Sequence, residues 1–128
     1  MNGTVPLILR AEPVTKETRT KASSPHVAVV YADINGLRMF YEIRGTADPI
    51  KVPVVLLHGA ISAIGTSFGP LPDLLAQTRQ VIAVEQQGHG RTADIDRPMS
   101  VQAMADDTLA LLASLGVYLR REGLRELD

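Results

Sequence analysis

The chain has 128 residues, with 13 Lys or Arg, 14 Asp or Glu, 3 His, a formal net charge of −1, and neither Cys nor Trp. A 45% hydrophobic and 21% charged composition is that of one ordinary globular domain, not of a disordered chain. The near-neutral charge argues against a nucleic-acid or anionic-membrane partner. The missing Cys excludes disulfides, thiolate metal sites and a thiol nucleophile, and no apolar run approaches the ~18 residues of a membrane helix.

Residues 1–26 read as a flexible leader: a short apolar patch, Val5-Pro6-Leu7-Ile8-Leu9, and then a polar stretch from Arg10 to Pro25 without periodicity. The patch is shorter than the ~7 residues of a signal-peptide core and no basic region precedes it, so a cytoplasmic location is expected. His26 falls in this leader as a solvated side chain. From Val27 the pattern becomes β-rich. Val27–Ile34 and Leu37–Gly45 flank Asn35-Gly36, both of which tolerate positive φ, and this predicts a β-hairpin with one solvated face.

Pro53–Leu57 is a continuous apolar run ending abruptly at His58-Gly59, the pattern of a parallel strand covered on both sides. Residues 60–70 read as a Gly- and Ser-rich loop, and residues 70–77 as a helix with Pro in its first turn. Gln80–Glu85 is a second buried strand, followed by a turn around Gly88, His89 and Gly90. Ser100 then caps an amphipathic helix with apolar positions at Val101, Met104, Ala105, Leu109, Leu112 and Leu115, Asp106 and Asp107 on the opposite side, and Gly116 as its stop. Residues 118–128 are rich in charge and read as a tail. A hairpin followed by β-α-β-α defines an α/β architecture, with residues 27–117 as its folded part.

Four stretches in order resemble the α/β-hydrolase family: Tyr41-Glu42-Ile43-Arg44-Gly45, Val54-Val55-Leu56-Leu57-His58-Gly59, Val81 through Thr92, and the helix opening at Ser100. The resemblance implies the N-terminal half of an α/β-hydrolase sheet, mostly parallel, with helices on both faces and its four strands in the order 1-2-4-3. It also implies ester or related-bond hydrolysis by a Ser, a His and a carboxylate acting on a small-molecule substrate, without cofactor or metal. In that family one oxyanion donor comes from the loop after the third strand, which makes Ala60 the implied N–H donor. Gly59 then permits close approach, and His58, Gly88, His89 and Gly90 shape the loops. Glu85, Gln87 and Thr92 stand where many relatives carry Asp, Arg and Ser, which puts only local loop geometry in question.

The family's nucleophile elbow is expected beyond the Ser100 helix, so the resemblance implies a chain without its own triad. Gly65-Thr66-Ser67-Phe68-Gly69 matches G-x-S-x-G by letter, but no strand runs into it, so Ser67 is a weak nucleophile candidate. A non-catalytic remnant or interaction module is the alternative reading. Either way, strand 53–57 becomes an apolar sheet edge, which implies self-association.

Overall fold

The computed structural model describes residues 7–11, 22–24, 27–117 and 119–123, with side chains over residues 30–117. Strands β1 (Leu7–Ala11), β2 (Ala22–Ser24), β3 (Val27–Ile34), β4 (Leu37–Arg44) and β5 (Val54–Leu57) lead to the short helices α1 (Ile64–Phe68) and α2 (Leu71–Leu75). Strand β6 (Val81–Val84), helix α3 (Val101–Ser114) and strand β7 (Leu119–Gly123) complete the order. The main sheet runs β2-β3-β4-β6-β5. Its last four strands reproduce the expected order, and β5 is its edge.

Parallel pairing is confined to β5 and β6, with Val55 opposite Ile82; the other pairings in this sheet are antiparallel. The Asn35-Gly36 turn has φ of 50° and 86°, as the hairpin pattern requires. The solvated face belongs to β3, where Tyr31 and Asp33 are exposed, while β4 lies between β3 and β6 and is buried on both sides except at the exposed Arg38 and the half-buried Arg44. Strand alternation then splits the core. Met39, Tyr41, Ile43, Ile82 and Val84 face Leu111, Leu112 and Leu115 of α3. Phe40 and Ala83 face Ile64 and Phe68 of α1 on the other side.

Helix α3 begins and ends where its sequence says. The Ser100 hydroxyl accepts the Ala103 N–H at 3.0 Å. At the other end Gly116, with φ of 76°, donates to Ala113 and Val117 donates to Leu112 at 2.8 Å, a Schellman closure that buries Val117. The expected polar side of this helix is corrected by the fold. Asp107 is fully buried, not solvated, and it accepts from Arg97 at 2.8 Å and from Asn35 at 3.0 Å.

Residues 60–70 are not all loop: Ile64–Phe68 form α1. Strands also occur within the segments read as leader and tail. β2 pairs with β3, and β1 and β7 form a separate antiparallel ladder with Leu9 opposite Arg121. Such ladders are made by backbone groups and need no apolar periodicity, which is why none showed in the sequence. His26 lies outside the described residues.

Candidate functional site

The carboxyl ends of β5 and β6 lie side by side, so the two loops that leave them meet. His58 and His89 carry that meeting, their rings 4.7 Å apart between centroids. The His58 Nε2 accepts the Gln86 N–H at 2.9 Å, which leaves Nδ1 as the protonated nitrogen, donating to the Gly59 carbonyl at 2.8 Å. His89 has the same arrangement, its Nε2 accepting from Ile61 and its Nδ1 donating to the Gln87 carbonyl at 2.8 Å. Both rings are therefore occupied at both nitrogens, and neither has a nitrogen left to take a proton from a nucleophile.

Ser67 sits inside α1, not at the end of a strand. Its Oγ accepts the Gly59 N–H at 3.0 Å and shares a hydrogen bond with the Ser62 hydroxyl at 2.7 Å, and that hydroxyl also meets Thr66 at 2.8 Å. Thr66 in turn accepts the N–H of Ala63, the residue before the helix, at 3.0 Å, so the hydroxyls of this stretch hold the loop to the start of α1. The hydrogen bonds of His58 and His89 go to other groups than Ser67 among the described residues.

Beneath the loops lies Glu85, fully buried at the end of β6. It accepts from the Ile64 N–H at 3.0 Å and from the N–H and guanidinium of Arg91, at 2.8 Å and 3.0 Å. Burial alone would raise its pKa, but the hydrogen bonds from Arg91 and Ile64 outweigh that and hold it below the usual carboxylate range. Its extra methylene relative to Asp is taken up in spanning two loops, one to α1 and one to the Gly88-His89-Gly90 turn. Thr92, also buried, donates to the Glu85 carbonyl at 2.7 Å and accepts the Phe40 N–H at 2.9 Å, work that a Ser hydroxyl would do equally well. Gln87 donates to Asp94 at 2.7 Å and accepts from Arg97, which bridges on to Asp107.

The loop from His58 to Ile64 has most of its N–H groups committed. Gly59, Ile61, Ala63 and Ile64 donate to Ser67, His89, Thr66 and Glu85. Those of Ala60 and Ser62 have no acceptor among the described residues. Ile61 has φ of 54°, a left-handed conformation that a β-branched residue rarely adopts, and its side chain is 98% exposed. A cavity of about 530 Å³ opens beside this loop, lined by Ile61, Ser62, Thr66, His89 and Met99 among others. The sequence pointed to Ala60 through the His-Gly pattern. It gave no sign of the Ser62–Thr66–Ser67 hydroxyl cluster, because that cluster depends on α1. Among the described residues no group of three His, Asp or Glu side chains is placed to hold a metal ion, and no helix is long and apolar enough to cross a membrane.

A sheet of this order with paired loops at the ends of its parallel strands is the arrangement of part of the α/β-hydrolase fold, and the chain matches solved structures of that fold over about 70% of its length. No protein-family model matches it. It is similar to a proline iminopeptidase of Lactiplantibacillus plantarum, at 36% identity over 86 residues, covering 66% of this chain and 29% of that protein. Among solved structures it resembles the epoxide hydrolase CorEH, at 30% identity and a TM-score of 0.62, with 70% of this chain and 30% of that one covered. It also resembles the haloalkane dehalogenase DbeA of Bradyrhizobium elkani, at 26% identity and a TM-score of 0.61, with the same coverage. The chain thus spans about a third of the length of the relatives it matches.

Proposed function

We propose that this chain carries the oxyanion-forming portion of a hydrolase that cleaves an ester or related bond by Ser-His-carboxylate chemistry, with the Ala60 N–H as one of the two oxyanion donors. The observation that carries the reading is that the N–H of Ala60 has no acceptor among the described residues, while the N–H groups on either side of it, of Gly59 and Ile61, are bonded to Ser67 and His89. A donor that waits for an acceptor, in a segment braced by Ser67, His89 and Glu85, is what stabilises a developing oxyanion without reorganisation. The left-handed Ile61 supports the same reading, since strain of this kind is retained where the surroundings over-determine a functional loop. His58, Gly59, Gly88, His89 and Gly90 then serve as the supports of the donor, and the substrate is a small molecule entering the adjoining cavity. The protein works in the cytoplasm.

The nucleophile elbow and the rest of the triad are not assembled among the described residues, so the 128-residue chain alone is expected not to turn over p-nitrophenyl acetate. The relatives named above act on different bonds, and the fold does not choose between them. The test uses the chain together with whatever coding sequence follows Asp128 in its own gene. Ester, epoxide and haloalkane hydrolysis are measured for the native protein and for Ala60→Pro, which deletes that N–H and also fixes φ at residue 60, with Ala60→Gly as the control that keeps the N–H. A drop in kcat on the order of 100-fold at little changed KM is expected. Hydrolysis that survives Ala60→Pro, or activity of the 128-residue chain that vanishes in Ser67→Ala, overturns the reading. The alternative, an interaction module without chemistry, is favoured by the full occupation of both histidines, and it predicts no hydrolysis in either form.

A further inference from the structure

The loops that leave β5 and β6 are joined by a reciprocal exchange. His58, on the first loop, accepts the N–H of Gln86 on the second at 2.9 Å. His89, on the second, accepts the N–H of Ile61 on the first at 3.3 Å. In both rings the other nitrogen, Nδ1, meets a backbone carbonyl, that of Gly59 or of Gln87, at 2.8 Å. A backbone N–H can only donate and a backbone carbonyl can only accept, so the four contacts fix both rings as neutral, with the proton on Nδ1. A proton added at Nε2 sets a second donor against the backbone N–H and abolishes the bond. The rings lie 4.7 Å apart and 35° from parallel, so two imidazolium charges would also repel each other.

Ile61 gives the first loop a second state to move to. Its φ of 54° is unfavourable for a β-branched residue, and its side chain, 98% exposed, is not held by packing. The hydrogen bond to His89 holds that backbone in place, and its loss releases the strain. The other charged groups around the pair keep their charge in mild acid. Glu85 lies beneath the Gly88-His89-Gly90 turn with Arg91 upon it, Glu42 stands 3.8 Å from Arg91, and Asp94 lies beside Gly88. Burial of Glu85 raises its pKa but is outweighed by hydrogen bonds from Arg91 and Ile64, and the Gln87 amide lowers that of Asp94. Besides the histidines, the side chains lining the two cavities that flank the rings are uncharged, among them Thr66 of α1, Met99, and Met104 and Thr108 of α3.

We infer that His58 and His89 form an acid-operated latch. Neutral imidazoles clamp the loop after β5 to the turn after β6. Protonation of either ring releases the backbone N–H it accepts, and protonation of His89 lets Ile61 leave its left-handed conformation. The inference rests on the contacts between the two loops and is independent of the chemistry proposed for Ala60, although Ala60 lies between the braced Gly59 and Ile61 and moves with them.

The test is nuclear magnetic resonance of the isotope-labelled 128-residue chain between about pH 8 and about pH 5, the range in which imidazole changes charge. Ring-nitrogen correlations report the tautomer and the proton on each histidine, and amide spectra report Ile61 and Gln86. Both rings are expected in the Nδ1–H form at the upper pH. As the rings take up protons, the Ile61 and Gln86 amide resonances shift and their protection from solvent exchange falls about tenfold, the loss of one hydrogen bond each. His89→Gln and His58→Gln each supply an acceptor that does not titrate. His89→Gln should remove the response of Ile61 and keep that of Gln86, and His58→Gln should do the reverse. His26→Gln, at the third histidine of the chain, should keep both. An acid response of Ile61 that survives His89→Gln, or of Gln86 that survives His58→Gln, overturns the inference. Where a variant fails to fold, the native titration decides. Nε2–H tautomers at the upper pH, rings that protonate while both amides stay unchanged, or rings that take up no proton by the lower pH overturn the latch and leave the oxyanion assignment in place.

Discussion

The Gly59 N–H donates to the Ser67 Oγ at 3.0 Å, across the whole turn between β5 and α1. The hydroxyl that most resembles a nucleophile by its sequence context is thus a brace for the loop beside it. Ser67→Ala leaves the Gly59 N–H without its acceptor and removes the link to Ser62. Because both groups are exposed, water replaces part of the loss, and chemical denaturation is expected to show a destabilisation of about 1 kcal/mol.

Glu85 gives the fold an acid-sensitive support. Its pKa is held below the ordinary carboxylate value of ~4.3, so the stabilisation is fully present above that value and is lost as the pH falls through the lower, folded-state value. The Arg91 side-chain hydrogen bond is the largest of the lowering influences, but Arg91 is half exposed and its pairing is discounted for screening; the backbone N–H groups of Arg91 and Ile64 add to it. Glu85→Gln is expected to flatten the fall in melting temperature below about pH 4.3 and to lower stability at neutral pH by roughly 1–3 kcal/mol, followed by thermal unfolding at a series of pH values.

Two glycines that look alike in sequence are expected to behave oppositely. Gly90 has φ of 54°, and a Cβ there would collide with the Glu85 carboxylate, so Gly90→Ala strains the backbone and displaces a buried charge. A loss of more than about 2 kcal/mol in unfolding free energy is the expected outcome. Gly65 lies within α1 with nothing within 4 Å of where its Cβ would stand, and Gly65→Ala should raise stability by about 0.5–1 kcal/mol through reduced unfolded-state entropy.

Ile61→Gly tests whether the left-handed residue stores strain. Removing the Cβ relieves about 1–2 kcal/mol. Glycine's greater unfolded-state freedom offsets up to about 1 kcal/mol of that gain, so unchanged or slightly raised stability is expected by denaturant titration. A loss above about 2 kcal/mol in that titration would show that the side chain, 98% exposed, has a packing role the structure does not give it.

Asp107 ties the far ends of the domain together, accepting from Asn35 in the hairpin turn and from Arg97 in the loop before α3. Asp107→Ala breaks both at once inside the core and is expected to destabilise by about 2 kcal/mol. Asn35→Gly, which keeps the turn and removes only one donor, should cost less. A double-mutant cycle between the two positions measures their coupling.

Much of this protein could be read from its residues alone. Asn35-Gly36 specifies a turn, the Val54–Leu57 and Val81–Val84 runs specify buried strands, and Ser100 and Gly116 bound the longest helix. In each case the controlling interaction lies within a few residues along the chain. The order of the strands followed from the resemblance carried by the His58-Gly59 and Gly88-His89-Gly90 patterns. Tertiary structure decided the rest, because the partners are far apart in sequence. Asp107 is polar by its letter and buried by its contact with Asn35, 72 positions away. Val101 and Leu109 belong to an apolar stripe, yet they stay exposed because nothing among the described residues lies over the open side of β5. Ser67 matches a nucleophile by spelling, and α1 makes it a strut. Local pattern determines which elements form, whereas the role of a polar side chain is set by whatever the closed sheet brings against it.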